Sequence, residues 1–230
     1  MQRSYPTSPR FYGRRKGRSL RRGMQALLAD MLPDLRFDAT RPLSTQFNHT
    51  NGWEADVALE IGFGGGEHLA GLAEANPGVN FIGAEPFVNG VASLLRHIQR
   101  RNLSNIRIWD DDVRLILPVL PVAGLSRVFI MFPDPWPKKR HATRRILQPE
   151  MMDVLAQLIR PGGQLILASD DPTAKGWLLQ TVMSHPLFFW TARRPADWRQ
   201  RPQHLPATRY MAKAERASRQ ASWLIFERHR

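Results

Sequence analysis

Short apolar runs alternate with amphipathic segments over most of this chain. The run at 128–132 is rich in aliphatic and aromatic residues and predicts a buried strand. The positions Val91, Leu94, Leu95 and Ile98 recur at helical spacing and predict a helix with one buried face. Alternating strands and helices predict an α/β fold with a mostly parallel sheet and right-handed crossovers. The predicted strands are 55–61, 80–85, 106–109, 128–132, 164–169, 188–191 and 222–228, and the predicted helices are 67–75, 88–101, 113–117, 148–159 and 172–184.

The first 25 residues lack this apolar periodicity. They combine Gly, Ser and Pro with cations, which predicts a basic flexible arm over 1–25. A linker with a short helix is predicted over 26–54, followed by one folded domain over 55–230. The cations of the arm up to residue 23, which no acid accompanies, are Arg3, Arg10, Arg14, Arg15, Lys16, Arg18, Arg21 and Arg22.

The charge of the chain is far from balanced, with a formal net charge of +13 and an isoelectric point near 11.3. Such an excess of positive charge attracts a polyanion, and nucleic acid is the first candidate. An anionic membrane surface is the second candidate, but the sequence contains no basic amphipathic helix with a strong apolar face. A basic arm of this kind neutralises phosphates without reading a base sequence.

Several classes of protein are excluded or disfavoured by what the sequence lacks. There are no cysteines, so disulfides and thiolate metal sites are absent. No apolar run approaches the roughly 18 residues that cross a bilayer. The N-terminus has no apolar core typical of a secretory signal, and we therefore expect a cytoplasmic protein. No two histidines stand at a metal-binding spacing with carboxylates nearby, so no metal is expected.

A glycine loop follows the first predicted strand and precedes a helix, as in nucleotide-binding α/β folds. Its glycines are Gly62, Gly64 and Gly66, and Glu67 stands where a dinucleotide-binding loop has its last glycine. Glu60 precedes the loop. Two flanking carboxylates would repel a pyrophosphate but suit a cation, so S-adenosylmethionine, with its sulfonium and ammonium, fits this loop better.

Acidic residues also end the next two predicted strands. Glu85 ends the second strand, where a carboxylate can accept hydrogen bonds from both ribose hydroxyls. Asp111 or Asp112 follows the third strand, where a carboxylate can accept from an adenine amine. Each acid singly is equally well explained as a surface residue or a helix cap. The whole set at successive strand ends is better explained by a cofactor pocket.

The fourth predicted strand runs into Phe-Pro-Asp-Pro-Trp-Pro-Lys-Lys-Arg-His at 132–141. Asp134 lies between two prolines, which restrict the backbone on both sides and hold the carboxylate rigidly. Trp136 offers a flat aromatic surface, and Lys138, Lys139 and Arg140 add cations directly after it. Taken alone, the segment is equally typical of a proline-rich turn with solvated lysines.

These motifs resemble the bacterial tRNA (guanine-N7-)-methyltransferase family. The resemblance covers 56–228 and is carried by Leu-Glu-Ile-Gly-Phe-Gly at 59–64, Gly-Ala-Glu at 83–85, the 132–141 run, Ala-Ser-Asp at 168–170, Thr-Arg-Tyr at 208–210 and Phe-Glu-Arg at 226–228. It implies a Rossmann-like class I methyltransferase fold with seven strands and an antiparallel last hairpin. It also implies transfer of a methyl group from S-adenosyl-L-methionine to N7 of a guanine in the variable loop of tRNA.

The resemblance further implies roles for single residues. Cofactor contacts are implied for Glu60, Glu85 and Asp111, with Asp112 adjacent, and a place where cofactor meets base is implied for Asp134. One departure is visible, because the family usually has a glutamate where this chain has Met211; Glu215 lies one turn further on if that stretch is helical. The residues implied to contact the RNA substrate are Lys138, Asp170, Thr208, Arg209, Tyr210 and, at the departing position, Met211.

Guanine N7 carries a free lone pair and no proton, so a strong general base is unnecessary. We therefore assign Asp134 to orientation and electrostatic support rather than to proton abstraction. Two other functions remain open at this point: a methyltransferase for an exocyclic amine or a protein, and an RNA-binding protein without catalysis. A dehydrogenase is a distant third. The sequence leaves open whether the protein is a monomer or a homodimer.

Overall fold

The computed structural model describes residues 11–47, 55–207 and 219–229. The strands in these ranges are β1 (Val57–Ile61), β2 (Asn80–Ala84), β3 (Ile106–Trp109), β4 (Leu125–Met131), β5 (Ile159–Ser169), β6 (Phe188–Trp190) and β7 (Ser222–Arg228). They form one sheet in the order β3-β2-β1-β4-β5-β7-β6. The pairs β2–β3 and β4–β5 are parallel, whereas β7 is antiparallel to both β5 and β6. The predicted α/β fold, with its seven strands and antiparallel last hairpin, is confirmed.

The helices of the described ranges also follow the apolar pattern closely. The α-helices are α1 (Arg22–Asp30), α2 (Leu32–Leu35), α3 (Glu67–Ala75), α4 (Val88–Arg101), α5 (Pro149–Leu158), α6 (Pro172–Met183) and α7 (Ala196–Arg199). The predicted apolar face of α4 is buried, with Val91, Leu94, Leu95 and Ile98 at most 3% exposed. This helix ends at Asn102, which adopts the left-handed conformation with φ 51°.

Several predicted elements differ from the structure in their bounds or local geometry, and the largest difference is in β5, which begins at Ile159 rather than at 164. The helix predicted at 113–117 is a pair of 3₁₀ turns, Val113–Leu115 and Leu117–Val119. Pro118 has no N–H to donate to the preceding turn, so it starts a new turn instead of continuing the first. The strand predicted at 128–132 ends at Met131, because Phe132 turns into the left-handed region with φ 52°.

The chain is built of two compact units. The first contains the described residues up to Leu120 except Val57–Glu60, and the second contains Val57–Glu60 and the described residues from Pro121 onward. In the first unit every residue of β2 is buried, and in the second unit Val128, Phe129 and Ile130 of β4 are at most 1% exposed. Parallel strands that are covered on both faces are expected to be this uniformly apolar.

The segment predicted as a linker contributes to the core of the first unit. Leu32, Phe37 and Phe47 are buried, and the backbone N–H of Phe37 donates to the carbonyl of Ile108 at 2.8 Å on the edge strand β3. Leu32 belongs to a run of apolar residues at helical spacing, but Phe37 and Phe47 stand outside that run, so their burial leaves no periodic signal in the sequence. The predicted boundary between linker and domain, at 54/55, adjoins residues 48–54, which lie outside the described residues.

No helix among the described residues is long and apolar enough to cross a membrane.

Candidate active site

The glycine loop of the first unit connects β1 to α3 through left-handed backbone. Gly62, Gly64 and Gly66 have φ of 74°, 55° and 80°, a region that side chains rarely adopt. The N–H of Gly62 donates to the carbonyl of Ala84 at 2.8 Å, which ties the loop to the end of β2. On its other side the loop meets α4, where an added Cβ on Gly90 would lie 2.2 Å from the carbonyl oxygen of Gly64. The loop is therefore fixed by close backbone approach on both sides.

The substitution Gly90→Ala is expected to push the loop out of place. We expect a loss of about 1–3 kcal/mol in the free energy of unfolding, the usual cost of overpacking, together with weaker cofactor binding. Denaturant unfolding and calorimetric titration measure the two effects. Gly78→Ala is the matched control, because nothing lies within 4 Å of a Cβ added at Gly78. Wild-type values for both variants would contradict the close approach as described.

Glu85 follows β2 and holds the glycine loop. Its Oε2 accepts from the N–H of Gly64 at 2.8 Å, and its Oε1 accepts from the N–H of Phe87 at 3.0 Å. Glu85 thus fixes the glycine loop to the end of β2 and places a carboxylate beside it.

The two acids after β3, Asp111 and Asp112, have different surroundings in the structure. Asp112 is 5% exposed and caps the following 3₁₀ turn by accepting from the N–H of Arg114 at 3.0 Å, while Arg114 Nη2 lies 2.6 Å from its Oδ2. The side chain of Asp111 is 39% exposed, and its Oδ1 lies 2.7 Å from Arg15 Nη2. The Asp112 carboxylate is committed to local structure, so the geometry favours Asp111 for a ligand contact.

In the second unit, Glu60 and Asp134 occupy very different environments. Glu60 in β1 is 1% exposed, whereas Asp134 is exposed on the turn after β4. Within the described part of the chain, no hydrogen bond or ion pair occupies the Asp134 carboxylate. The turn leaves the strand through Phe132, whose N–H donates to the carbonyl of Ala168 at 2.8 Å. Trp136 also has a positive φ, 39°, so both sides of Asp134 are bent sharply. The backbone on both sides of Asp134 is therefore constrained, and its carboxylate is exposed with no partner among the described residues.

Trp136 is held by residues that the sequence alone did not single out. The Arg144 guanidinium carbon lies 5.0 Å from its ring centroid, and the His141 ring meets it edge-on at 5.7 Å. Arg145 Nη2 donates to the Trp136 carbonyl at 3.3 Å, and the same guanidinium lies over the Trp177 ring of α6. Two arginines after a lysine-rich run look in sequence like more solvated charge, which is why their role was missed.

Loss of hydration, followed by the nearby cations Arg144, Arg140 and Lys138, lowers the pKa of the His141 imidazole below its usual range. The neutral imidazole is therefore favoured beside Trp136. His141 lies in the 3₁₀ turn Lys139–Arg144. At the start of this turn the side chains of Lys138, Lys139 and Arg140 are exposed. They form a basic lip that follows the fixed carboxylate of Asp134 in sequence.

The remaining predicted substrate residues divide into described and undescribed positions. Asp170 follows β5, and its Oδ2 lies 3.0 Å from Arg219 Nε. Its neighbour Asp171 caps α6 by accepting from the N–H of Ala174. The predicted contacts at Thr208, Arg209, Tyr210 and Met211 lie outside the described residues, as does Glu215. Among the described residues, no group of three or more His, Asp or Glu side chains could hold a metal ion.

The sheet order, with the glycine loop after β1 and the antiparallel β7 beside β5, defines the Rossmann-like class I methyltransferase fold. An rRNA methylase from Streptococcus thermophilus shares the fold, with a TM-score of 0.51 and 13% identity over 77% of this chain and 89% of that chain. The family model described as "Putative methyltransferase" matches residues 54–224.

Two curated relatives define the family more narrowly. The chain is 48% identical over 230 residues to the tRNA (guanine-N(7)-)-methyltransferase of Rhodospirillum rubrum, with 95% of this chain and 88% of that protein covered. It is 49% identical over 214 residues to the protein of the same name from Paramagnetospirillum magneticum, with 89% and 87% covered. The chain belongs to the tRNA (guanine-N7-)-methyltransferase family.

Proposed function

We propose that this protein transfers a methyl group from S-adenosyl-L-methionine to N7 of a guanine in the variable loop of tRNA, giving N7-methylguanosine. The observation that carries the proposal is the identity of 48–49% with relatives of that name over nearly the full length of the chain. The acids that follow β2, β3 and β4 supply a chemistry consistent with it. With a tRNA substrate, we expect the reaction to take place in the cytoplasm.

The hydrogen-bond acceptors of the first unit suit this cofactor. The Glu85 carboxylate, which lies beside the glycine loop, can accept from ribose hydroxyls, and Asp111 can accept from the adenine amine. Gly62 leaves open space where another residue would carry a side chain, with nothing within 4 Å of an added Cβ. Glu60 adds negative charge next to the loop in sequence, which suits a cationic ligand. When bound, the cofactor supplies an electrophilic methyl group on its sulfonium.

The residues of the second unit serve the guanine and the RNA backbone. Guanine N7 needs no deprotonation, so the work of the protein is to place N7 in line with the methyl group. We assign this orientation to the Asp134 carboxylate. Trp136 supports the base or stacks on it, and Lys138, Lys139 and Arg140 hold phosphates. Asp170 and residues 208–211 are assigned to the RNA substrate, and Arg219 is the residue that the RNA would meet at Asp170.

The decisive experiment is incubation of the protein with labelled S-adenosylmethionine and tRNA that lacks the modification, followed by nucleoside analysis. The expected product is N7-methylguanosine. Label on an exocyclic amine or on protein would support the rival methyltransferase. Binding of cofactor and tRNA without transfer would support an RNA-binding protein that has kept the fold.

Replacing Lys138, Lys139 and Arg140 together by Gln should weaken tRNA binding and flatten its salt dependence. Each lost phosphate contact is expected to lower the log–log salt slope by about 0.7–0.9. The dissociation constant of the cofactor should stay within about twofold. A salt titration of both proteins measures the slope, and an unchanged slope would remove this basic lip from the RNA-binding surface.

A further inference from the structure

Part of the basic arm is hydrogen-bonded to the first turn of α4. The backbone N–H of Val88 donates to the carbonyl of Arg15 at 3.0 Å. The Asn89 side chain uses both ends of its amide: Oδ1 accepts from the N–H of Gly17 at 2.8 Å, and Nδ2 donates to the carbonyl of Arg18 at 2.8 Å. Three hydrogen bonds therefore fix a segment that we call the strap, which runs from Arg15 to Arg18.

The strap is also fitted sterically to the start of α4. A Cβ added at Gly17 would lie 2.9 Å from Cζ of the Phe87 ring and 3.0 Å from Oδ1 of Asn89. A side chain at this position would have to displace the Phe87 ring and the Asn89 amide. The contact is therefore a specific one, rather than a loose association of a charged segment with the surface. This differs from the freely solvated arm that the composition predicts.

Neighbouring cations of the arm point to different partners. Arg15 Nη2 lies 2.7 Å from Asp111 Oδ1. Arg14 and Lys16, on either side, are exposed and make no hydrogen bond or ion pair within the described residues. Arg15 is thus directed to the protein, while Arg14 and Lys16 remain available to a phosphate.

The strap contacts Asp111 directly, and it contacts Phe87, which is hydrogen-bonded to Glu85. Asp111 and Glu85 are the two acids of the first unit that we assign to the cofactor. Asp111 Oδ1 accepts from Arg15 and from the N–H of Asp112, at 2.7 Å in each case. No described residue donates to its Oδ2, which can accept from another donor. Phe87, which packs against Gly17, donates its N–H to Glu85 Oε1. A displaced strap would therefore free the Asp111 carboxylate to rotate and loosen the turn after Glu85.

We propose that Asn89 and Arg15 are positioning residues for the adenosine part of the cofactor, because they hold the strap in place and fix the Asp111 carboxylate. This inference rests on the proposed function, which assigns Asp111 and Glu85 to the cofactor. The basic arm then has two separate functions. Arg15 positions Asp111 in the cofactor pocket, and Arg14 and Lys16 bind phosphates of the RNA.

The test compares Asn89→Ala and Arg15→Ala with the matched control Arg14→Ala. Calorimetry gives the dissociation constant of S-adenosylmethionine, and a salt titration gives the slope of tRNA binding. We expect Asn89→Ala and Arg15→Ala to weaken cofactor binding about 3- to 10-fold, in line with lost hydrogen bonds and one partly exposed ion pair. Their KM for the cofactor should rise with kcat unchanged, and their salt slope should stay that of the wild type. Arg14→Ala should keep wild-type cofactor affinity and lower the salt slope by about 0.7–0.9.

Two further variants separate positioning from a general loss of structure. Arg15→Lys keeps a cation for Asp111 and should restore most of the cofactor affinity. The double variant Asn89→Ala/Arg15→Ala should lose less than the product of the two single effects, because both act through one strap. If Asn89→Ala fails to fold, the cofactor affinities of Arg15→Ala and Arg15→Lys still test whether the strap positions Asp111.

The outcomes that overturn the inference differ from those that overturn the proposed function. A wild-type protein that binds no S-adenosylmethionine would refute the function itself. A wild-type protein that binds it, with unchanged affinity in the Asn89 and Arg15 variants, would refute the strap. An equal loss in Arg14→Ala would show a general effect of charge and also refute it. Tighter cofactor binding by Arg15→Ala would make the strap inhibitory and overturn the positioning role.

Discussion

Replacing Asp134 by Ala is expected to abolish methyl transfer while tRNA and cofactor still bind within a few-fold of wild type. The carboxylate lies on a turn bent by positive φ at Phe132 and Trp136, and no group within the described residues competes for it. Such a fixed, unpaired charge is suited to orienting a reactant. Removing one preorganised electrostatic group commonly lowers kcat by about 100- to 1000-fold. Single-turnover rates and separate binding titrations measure the two quantities.

Two comparisons make the Asp134 result specific. Asp134→Asn keeps the shape of the side chain and tests whether the negative charge itself is needed. Asp30→Ala removes an exposed acid that makes no hydrogen bond or ion pair within the described residues, and it should leave turnover unchanged. Near-normal turnover in Asp134→Ala would remove this carboxylate from the centre of the reaction.

Glu85→Ala is expected to have the largest effect on cofactor binding. Two charge-assisted hydrogen bonds to the ribose would be lost, a cost of about 2–4 kcal/mol, which is roughly a 30- to 800-fold rise in the dissociation constant. The structure adds a second consequence, because the N–H groups of Gly64 and Phe87 lose their acceptor. The free energy of unfolding without cofactor should therefore also fall, by about 1–3 kcal/mol.

Measuring binding and stability separately distinguishes the two roles of Glu85. Calorimetric titration of cofactor reports the ribose contacts, and denaturant unfolding of the protein alone reports the anchoring of the loop. Glu85→Gln keeps one acceptor oxygen and should show an intermediate loss in both. An unchanged dissociation constant in Glu85→Ala would contradict the assignment of Glu85 to the ribose, whatever happens to stability.

The fold was largely predictable because its strands and helices carry strong local signals. The α4 range and its buried face follow from apolar spacing alone, and β3 was predicted at 106–109 as observed. The acids after β2 and β4 were predicted as ligand contacts because parallel strands place ligands at their carboxyl ends, and that role stays a prediction. At these points the end of a strand and the type of side chain can both be read from the sequence, so the sequence is sufficient to predict where the acids lie.

The choice between Asp111 and Asp112 could not be made from adjacent letters in the sequence. Both are acids after the same strand, and only the 3₁₀ turn at Val113–Leu115 shows that Asp112 caps it and binds Arg114. The clamp around Trp136 depends likewise on where Arg144 and Arg145 point after a turn of irregular backbone. Periodicity carries no information about such turns.

By itself, the sequence determined the class of the fold, the glycine loop and the acids that follow the strands, because local spacing and side-chain type are enough for each. The tertiary structure alone decided that part of the arm is bound to α4, that Arg15 meets Asp111, and that Phe37 joins the core beside β3. These contacts join residues far apart in the chain, and each depends on where a whole helix or strand has packed. Apolar content predicted a solvated arm, but hydrogen bonds from Val88 and Asn89 to backbone groups need no apolar side chain at all.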